Sequence, residues 1–208
     1  MPLFRISGKN VLFIHVPKTG GTTVEKVLAK VAPISLHGLG NKSMRVRMGS
    51  GKLSRGIPLQ HLHAKLLESI FAPGFIDYAF IIVRDPVSRM VSEYRHSRAL
   101  GRPETRFGFS RWLRISHMIS SRLPEFRNNH FRPQAEYPCF GAEVLRFEDG
   151  VPEALARVAG KLGVALPAIP HERRSEAYEV VVTDADRAFI ADIYADDYSA
   201  FGYVRGRA

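Results

Sequence analysis

The stretch Asn10–Val27 reads NVLFIHVPKTGGTTVEKV and decides the fold. The apolar, β-branched run Val11–Val16 predicts a strand, a turn with two adjacent glycines follows, and a helical pattern begins at Thr22. A strand, a glycine turn and a helix N-terminus in this order bind phosphate-like anions, because backbone N–H groups and the helix dipole both attract negative charge. Lys18 adds a full positive charge. The segment therefore predicts an anion-binding turn.

The turn differs from the Walker A motif of ATP-binding P-loops. In that motif the lysine follows the last glycine and precedes Ser or Thr, whereas Lys18 comes before the glycine pair. A magnesium-binding carboxylate is also not evident, since Asp85 is better placed as the N-cap of a helix that Pro86 begins. Taken alone, the segment leaves open an ordinary strand-to-helix turn that happens to contain two glycines.

A second buried-type strand, Tyr78–Val83, delivers Arg84 to its carboxyl end. Arg84 and Ser92 of the following helix can together bind a further phosphate, through charged donors and a hydroxyl. Ordinary helix surface is the alternative interpretation for Ser92. Arg89 and Arg95 are predicted to be solvated surface charges.

Strands and helices alternate along the chain. Strands are predicted over 11–16, 78–83 and 143–148, and helices over 22–32, 58–71, 86–97, 108–120, 152–162 and from about 184 with Thr183 as N-cap. Residues 34–57 are glycine-rich and basic, and predict a loop insertion or loose hairpin, either a flap over the site or a solvated insertion. The pattern predicts an α/β fold in a single domain over 1–208, with a parallel sheet flanked by helices and ligands at the carboxyl ends of the strands.

Composition is consistent with a globular protein that has an anionic partner. The 208 residues are 45% hydrophobic and 24% charged, with a net charge of +10. This charge alone does not separate a nucleic acid from a small polyanion. Cys139 is the single cysteine, and no Cys/His pattern predicts a zinc site. No signal-peptide pattern or long apolar run occurs, so we expect no transmembrane segment and a cytoplasmic location.

The two phosphate motifs resemble those of a known enzyme family. HVPKTGGTT (15–23) and IIVRDPVSRMVSEY (81–94) resemble the 5′-phosphosulfate loop and the 3′-phosphate segment of sulfotransferases that use 3′-phosphoadenosine 5′-phosphosulfate, PAPS. The nearest likeness is to the carbohydrate 2-O-sulfotransferase branch and its small bacterial members. Weaker matches are QHLH (60–63), NHFRPQ (129–134), VLRFE (144–148) and the C-terminal DY…FGY (197–203).

The resemblance implies a P-loop-type fold, PAPS as co-substrate, no metal, and a hydroxyl acceptor on a glycan or glycoconjugate. It implies cofactor binding by Pro17, Lys18, Thr19, Gly20, Gly21, Thr22, Thr23, Arg84 and Ser92, and by Arg174 and Ser175 of a basic segment. The resemblance also implies that four loop residues bind the acceptor: Asn129, His130, Arg132 and Gln134. The alternative interpretation is that their side chains only form hydrogen bonds that stabilise the loop.

Sulfuryl transfer needs a stabiliser for the leaving-group oxygen and a base for the acceptor hydroxyl. Lys18 suits the first role. His61 and His63 are candidates for the second, with His61 first by resemblance and His130 as the next choice. On one helix, residues two apart point in different directions, so at most one of them should be the base. The alternative is that both are surface or capping histidines.

Two other classes stay open at this point. A P-loop kinase-like enzyme would need a magnesium carboxylate and a hydroxyl after its lysine. A basic nucleic-acid-binding domain would be expected to show aromatic stacking residues or a helix-turn-helix pattern, and the sequence has neither.

Overall fold

A computed structural model describes residues 2–32, 34–36, 45–46, 57–168 and 179–206, with the backbone alone described at 34–36, 45–46 and 57–59. Its contacts divide the chain into two compact units. The first unit comprises Met1–Val83 and Glu136–His171, and the second comprises Arg84–Ala135 and Glu172–Ala208. The single-domain organisation stays a prediction.

The described strands are β1 (Leu3–Ile6), β2 (Lys9–Ile14), β3 (Ile34–Leu36), β4 (Arg45–Val46), β5 (Ile57–Pro58), β6 (Tyr78–Val83) and β7 (Glu143–Arg146). The described α-helices are α1 (Gly21–Val31), α2 (Ala64–Ile70), α3 (Pro86–Ala99), α4 (Gly108–Ser120), α5 (Val151–Leu162), α6 (Asp184–Ile193) and α7 (Ala195–Phe201). Short 3₁₀ turns lie at Leu59–His61, Pro103–Phe107, Gln134–Glu136 and Phe147–Asp149.

The first unit is built on a five-stranded sheet in the order β3-β1-β2-β6-β7. Strands β2, β6 and β7 are parallel, with Phe13 paired to Phe80 and Ile81 to Val144. These are the three strands that the sequence predicts, so the α/β prediction with a parallel sheet is confirmed for them. Their near-continuous apolar runs are typical of parallel strands that are buried on both faces.

Two antiparallel strands that were not predicted extend this sheet. β1 pairs with β2 and with β3, which makes the sheet mixed rather than purely parallel. Ser7 and Gly8 connect β1 to β2 with φ of 49° and 76°. Positive φ at both residues is the geometry of a two-residue type I′ hairpin, whose twist matches that of the strands it joins.

The core of the first unit lies between the sheet and helices α1 and α5. Val24, Val27 and Leu28 of α1 lie in the same buried cluster as Leu155 and Val158 of α5. They recur at the helical spacing that the sequence predicts for both helices. This packing fixes α1 directly behind the carboxyl end of β2.

The core of the second unit surrounds Trp112, which is fully buried among side chains of α3, α4 and α6.

Arg89 is also fully buried in the second unit, so the prediction that it is a solvated surface charge is wrong. Its Nη2 donates to the backbone oxygen of Arg132 at 3.1 Å, and its guanidinium lies 5.1 Å from the ring centroid of Tyr194. Asp197 lies 4.0 Å away and compensates the charge.

The single helix predicted over 58–71 is wrong in detail. The chain forms the 3₁₀ turn Leu59–His61, leaves helical geometry, and re-enters it at α2. His63 is the N-cap of α2, with extended φ and ψ of −88° and 170°. His61 and His63 therefore do not share one helix, and the argument from helical side-chain directions does not apply to them.

The predicted loop insertion over 34–57 contains regular structure where it is described. β3 joins the main sheet, and β4 pairs with β5 in a small antiparallel ribbon. Residues 37–44 and 47–56 lie outside the described residues. Within the described part of the chain, no helix has the length and apolar character needed to cross a membrane.

Helix α6 begins with a capping box, as expected from Thr183 at its N-cap. The Thr183 side chain accepts from the backbone N–H of Asp186, and the Asp186 side chain accepts from the backbone N–H of Thr183. Asp186 also accepts from Ser110 at 2.6 Å and from Arg114 at 2.7 Å. Burial acts to raise the pKa of Asp186, but these hydrogen bonds hold it below the ordinary value of 3.8.

Asp186→Asn should lower the free energy of unfolding by about 2 kcal/mol at neutral pH, because charged hydrogen bonds are lost. A lowered folded-state pKa means that the carboxylate stabilises the fold above its unfolded pKa, and that this contribution fades as the pH falls through the folded value. In urea unfolding, the difference from wild type should be full above about pH 4 and shrink below it. Asp184→Asn in the same first turn is the control. A difference that is independent of pH would contradict the assignment.

Candidate active site

The turn after β2 has the backbone geometry of a tight, closed loop. Lys18 has φ of 71° and Gly20 has φ of 79°. A left-handed conformation is uncommon for a residue with a side chain, and such conformations gather at functional sites. The Lys18 side chain is half-buried, in contrast to the buried Pro17 and Thr19 on either side of it.

The threonines of the turn differ in what they contact. Thr19 is fully buried, and its hydroxyl donates to the backbone oxygen of Val16 at 2.9 Å, which closes the loop from inside. Thr22 is exposed, while Thr23 is buried and its N–H donates to the oxygen of Gly20 at 3.1 Å. Thr19 therefore shapes the loop, and Thr22 offers the hydroxyl that solvent can reach.

The N-terminus of α1 has the properties of an anion site. Among the described residues, no side chain caps this helix and no acidic residue lies in its first turn. Asp85 caps α3 and Thr183 caps α6, whereas, in the part of the chain that the structure describes, α2, α4, α5 and α7 also lack a side-chain cap. What distinguishes α1 is the glycine turn with Lys18 directly before it. The first N–H groups of any helix lack intrahelical acceptors, and the helix dipole concentrates positive charge there. An anion bound at α1 would satisfy them.

Both glycines of the turn are required by close packing. A Cβ on Gly20 would lie 2.7 Å from a methyl carbon of Val151, and the positive φ of Gly20 also disfavours other residues. A Cβ on Gly21 would lie 2.1 Å from Nε2 of His15. The His15 imidazole thus occupies the space where a side chain at 21 would lie.

His15 belongs to a buried polar network in the first unit. Its Nδ1 lies 2.5 Å from Oε1 of Glu25, and the Gln60 side-chain amide donates to the same oxygen at 2.8 Å. The His15 ring also contacts the His61 ring edge-on, with centroids 5.0 Å apart and planes at 81°. Burial acts to raise the pKa of Glu25, but the His15 and Gln60 hydrogen bonds and the His15 charge hold it below the ordinary value. Glu25 is therefore a buried carboxylate.

Sequence reasoning missed this network, although it left a signal. Gly21, Val24, Glu25 and Leu28 lie at the spacing of one helix face, so the sequence places a carboxylate in the apolar stripe of α1. A buried carboxylate needs hydrogen-bond partners. The partners are His15, ten residues away, and Gln60, thirty-five residues away.

In the second unit, Arg84 is held by the side chain of Gln134. The Arg84 N–H donates to Oε1 of Gln134 at 2.9 Å, and Nε2 of Gln134 donates back to the Arg84 oxygen at 2.8 Å. Gln134 is fully buried and also donates to Asp197 at 3.1 Å. Burial raises the pKa of Asp197. The nearby Arg89 and the hydrogen bonds act in the opposite direction but are weaker, so the net shift of the pKa is upward.

The hydroxyl in contact with the Arg84 guanidinium is that of Ser88. Nε of Arg84 donates to Oγ of Ser88 at 3.0 Å. Ser88 lies one helical turn before the predicted Ser92, which is half-buried. The structure therefore adds Ser88 to the residues around Arg84.

The predicted acceptor loop is held by internal contacts. Asn129 is fully buried and left-handed, with φ of 67°, and accepts from Nε of Arg132 at 3.2 Å. His130 is partly exposed, and its Nδ1 lies 2.7 Å from the buried Glu93 carboxylate. Of the four predicted residues, Asn129 and Gln134 are buried, and His130 and Arg132 reach solvent.

A model of the sulfotransferase family matches residues 2–204, almost the whole chain. The protein belongs to the sulfotransferase family. No curated protein and no solved structure gave a match.

Family membership gives the reaction class of this sulfotransferase, which is transfer of a sulfuryl group from a donor to an acceptor hydroxyl. The predicted Arg174 and Ser175 lie outside the described residues. Across the described ranges, no group of three or more His, Cys, Asp or Glu is placed to hold a metal ion. Burial, with a smaller effect of Glu68, raises the pKa of the Cys139 thiol to about 12, so this thiol is unreactive at neutral pH.

Gly21→Ala should destabilise the sulfotransferase by about 1–3 kcal/mol, because the added methyl group overlaps the His15 ring. In the His15→Ala background, Gly21→Ala should lower the free energy of unfolding by much less, because the ring that it overlaps is absent. Chemical unfolding of the four proteins measures this coupling as a double-mutant cycle.

Gly160→Ala in α5 is the matched control, since a Cβ there meets nothing within 4 Å. It should stabilise the protein by up to about 1 kcal/mol through helix propensity. Additive effects of the Gly21 and His15 substitutions would contradict the proposed contact.

Proposed function

We propose that this sulfotransferase takes its sulfuryl group from PAPS and transfers it in line to a hydroxyl group, on a carbohydrate, with a histidine as general base. The observation that carries this proposal is the uncapped N-terminus of α1 behind a closed glycine turn that bears Lys18. A phosphosulfate is an anion of the size and charge that such a turn binds.

Lys18 has the central chemical role in this proposal. The acceptor oxygen forms a bond to sulfur while the bond from sulfur to the bridging phosphate oxygen breaks. Negative charge grows on that bridging oxygen as 3′-phosphoadenosine 5′-phosphate leaves. An ammonium group and helix N–H groups that are already in place stabilise this charge without reorganisation.

Arg84 suits the 3′-phosphate of the donor. The Gln134 amide fixes the peptide group of Arg84 on both sides, so its guanidinium starts from a rigid backbone. A guanidinium beside the Ser88 hydroxyl offers charged and neutral donors to one phosphate group. Ser92, one turn further along α3, remains a second candidate hydroxyl.

The kinase-like alternative has less support. A kinase-like enzyme would need a carboxylate that binds magnesium after a strand. The carboxylate that follows β6 is Asp85, and it serves as the cap of α3, accepting from the N–H of Ser88 at 2.8 Å. Lys18 also precedes the glycines instead of following them.

A cavity of about 450 Å³ in the second unit is lined by residues that include Arg98, Arg102 and Arg106 and no acidic residue. Guanidinium groups bind carboxylates and sulfates in bidentate fashion, so this cavity suits an anionic group. The carbohydrate acceptor itself rests on the family resemblance. A cytoplasmic location stays a prediction from the sequence, and nucleic acid is not expected as a partner.

The proposed donor can be tested by thermal shift with 3′-phosphoadenosine 5′-phosphate, ATP-Mg and an oligonucleotide in parallel. Only the first should raise the melting temperature strongly, because binding to the folded state stabilises it. Lys18→Ala should reduce sulfuryl transfer by about 10²-fold or more, as expected for the loss of one preorganised donor. A shift only with ATP-Mg or the oligonucleotide would contradict the proposal.

Arg84→Ala is the comparison variant for this experiment. It should weaken the binding of 3′-phosphoadenosine 5′-phosphate but hardly change that of adenosine 5′-phosphosulfate, which has no 3′-phosphate. Equal losses for both nucleotides would mean that Arg84 binds another part of the donor.

The base is predicted to be His61, which is buried and contacts the His15 ring. His61→Ala should reduce transfer by about 10²-fold or more while nucleotide binding persists, and His63→Ala should be milder. The wild-type rate should fall as the pH drops through about 6–7, where imidazoles protonate.

His130→Ala is the third variant to be assayed. His130 contacts the Glu93 carboxylate, and a general-base histidine commonly has such a carboxylate partner. If His63→Ala is the inactive variant, the two histidines exchange roles. If only His130→Ala is inactive, the assignment to residues 61 and 63 is wrong.

A further inference from the structure

We propose that Glu25 and His15 are positioning residues that hold the glycine turn and His61 in one arrangement, a role that rests on the proposed function of the turn and of His61. Glu25 is fully buried and His15 is 5% exposed. Neither side chain is placed to meet a substrate directly. Their contacts lead instead to two elements of the proposed site.

The first element is the start of α1. Gly21 and Glu25 lie four residues apart and therefore on one face of the helix. The His15 ring lies along that face, with Nδ1 at the Glu25 carboxylate and Nε2 in the space beside Gly21. The carboxylate fixes the ring at one nitrogen, and the ring then supports the first residue of the helix from behind.

The second element is the 3₁₀ turn that carries His61. Glu25 reaches this turn by two routes. Gln60, the neighbour of His61, donates directly to Oε1 of Glu25 at 2.8 Å, and the His61 ring contacts the His15 ring edge-on. A change at Glu25 therefore alters both the backbone and the ring of the predicted base.

The test compares Glu25→Ala and Gln60→Ala with Val27→Ala. Val27 lies on the same helix and is fully buried, but it belongs to the apolar cluster. For Glu25→Ala we expect kcat to fall about 10- to 100-fold, the usual cost of removing a residue that orients a catalytic group. The Kd of 3′-phosphoadenosine 5′-phosphate should change less than kcat. Gln60→Ala should give a smaller loss of kcat, and Val27→Ala should leave kcat per folded molecule unchanged.

Glu25→Gln keeps the side-chain size and covers the case in which Glu25→Ala does not fold. It can still accept from Gln60 and His15, so it should retain more activity than Glu25→Ala. A loss of kcat in Glu25→Ala no larger than that in Val27→Ala would overturn the positioning role.

A second measurement separates this inference from the proposed function. Proton–nitrogen correlation spectra of the histidine rings need no substrate. In wild type, Nδ1 of His15 should be protonated and hydrogen-bonded to Glu25. Glu25→Ala should shift the ring signals of both His15 and His61, and Val27→Ala should shift neither. If wild type fails to bind the nucleotide but these shifts occur, the proposed function fails and the positioning contact stands. Unchanged His61 signals in Glu25→Ala would overturn the inference whatever the activity.

Discussion

The contact between the His15 ring and Gly21 constrains how the chain passes from β2 into α1. The ring occupies the place of a side chain at position 21, so the helix can begin close behind the strand only with glycine there. Gly20 meets a similar limit against Val151 at the start of α5. The glycine pair is thus required by the packing of the protein itself. The same residues that make the turn compact also leave its N–H groups without side-chain caps.

Sequence reasoning predicted best where a single periodicity runs without interruption. The helix over 108–120 was predicted with the bounds that α4 has, because Phe109, Trp112 and Leu113 recur at helical spacing and are buried. The prediction of one helix over 58–71 is wrong because the chain leaves the 3₁₀ turn and begins α2 after His63. Such a break leaves the spacing of apolar residues almost unchanged, so the sequence pattern does not reveal it. β1 was missed because its signal, Ser7-Gly8, is a turn signal and not a periodicity.

The motifs of the candidate site can be identified in the sequence, but the contacts that their side chains make cannot. Lys18 and Arg84 follow parallel strands, and strand order alone places them at carboxyl ends. What Arg84 contacts depends on Gln134, fifty residues later, and the hydroxyl beside it is that of Ser88. Gln134 is predicted as an acceptor ligand, and its observed hydrogen bonds go to the Arg84 backbone and the Asp197 side chain. Contacts over such separations are determined by tertiary packing, which leaves no periodic pattern in the chain.

In each unit one buried glutamate contacts Nδ1 of a histidine. Glu25 contacts His15 in the first unit, and Glu93 contacts His130 in the second. A carboxylate at Nδ1 fixes the tautomer and orientation of an imidazole. In the first unit the carboxylate lies one turn beyond the start of α1, and its hydrogen bonds go to His15 and Gln60. Because the helix dipole acts mainly within the first turn, Glu25 leaves the positive end of α1 largely uncompensated. The buried charge of Glu25 thus lies beyond the first turn of α1, where the anionic donor is proposed to bind.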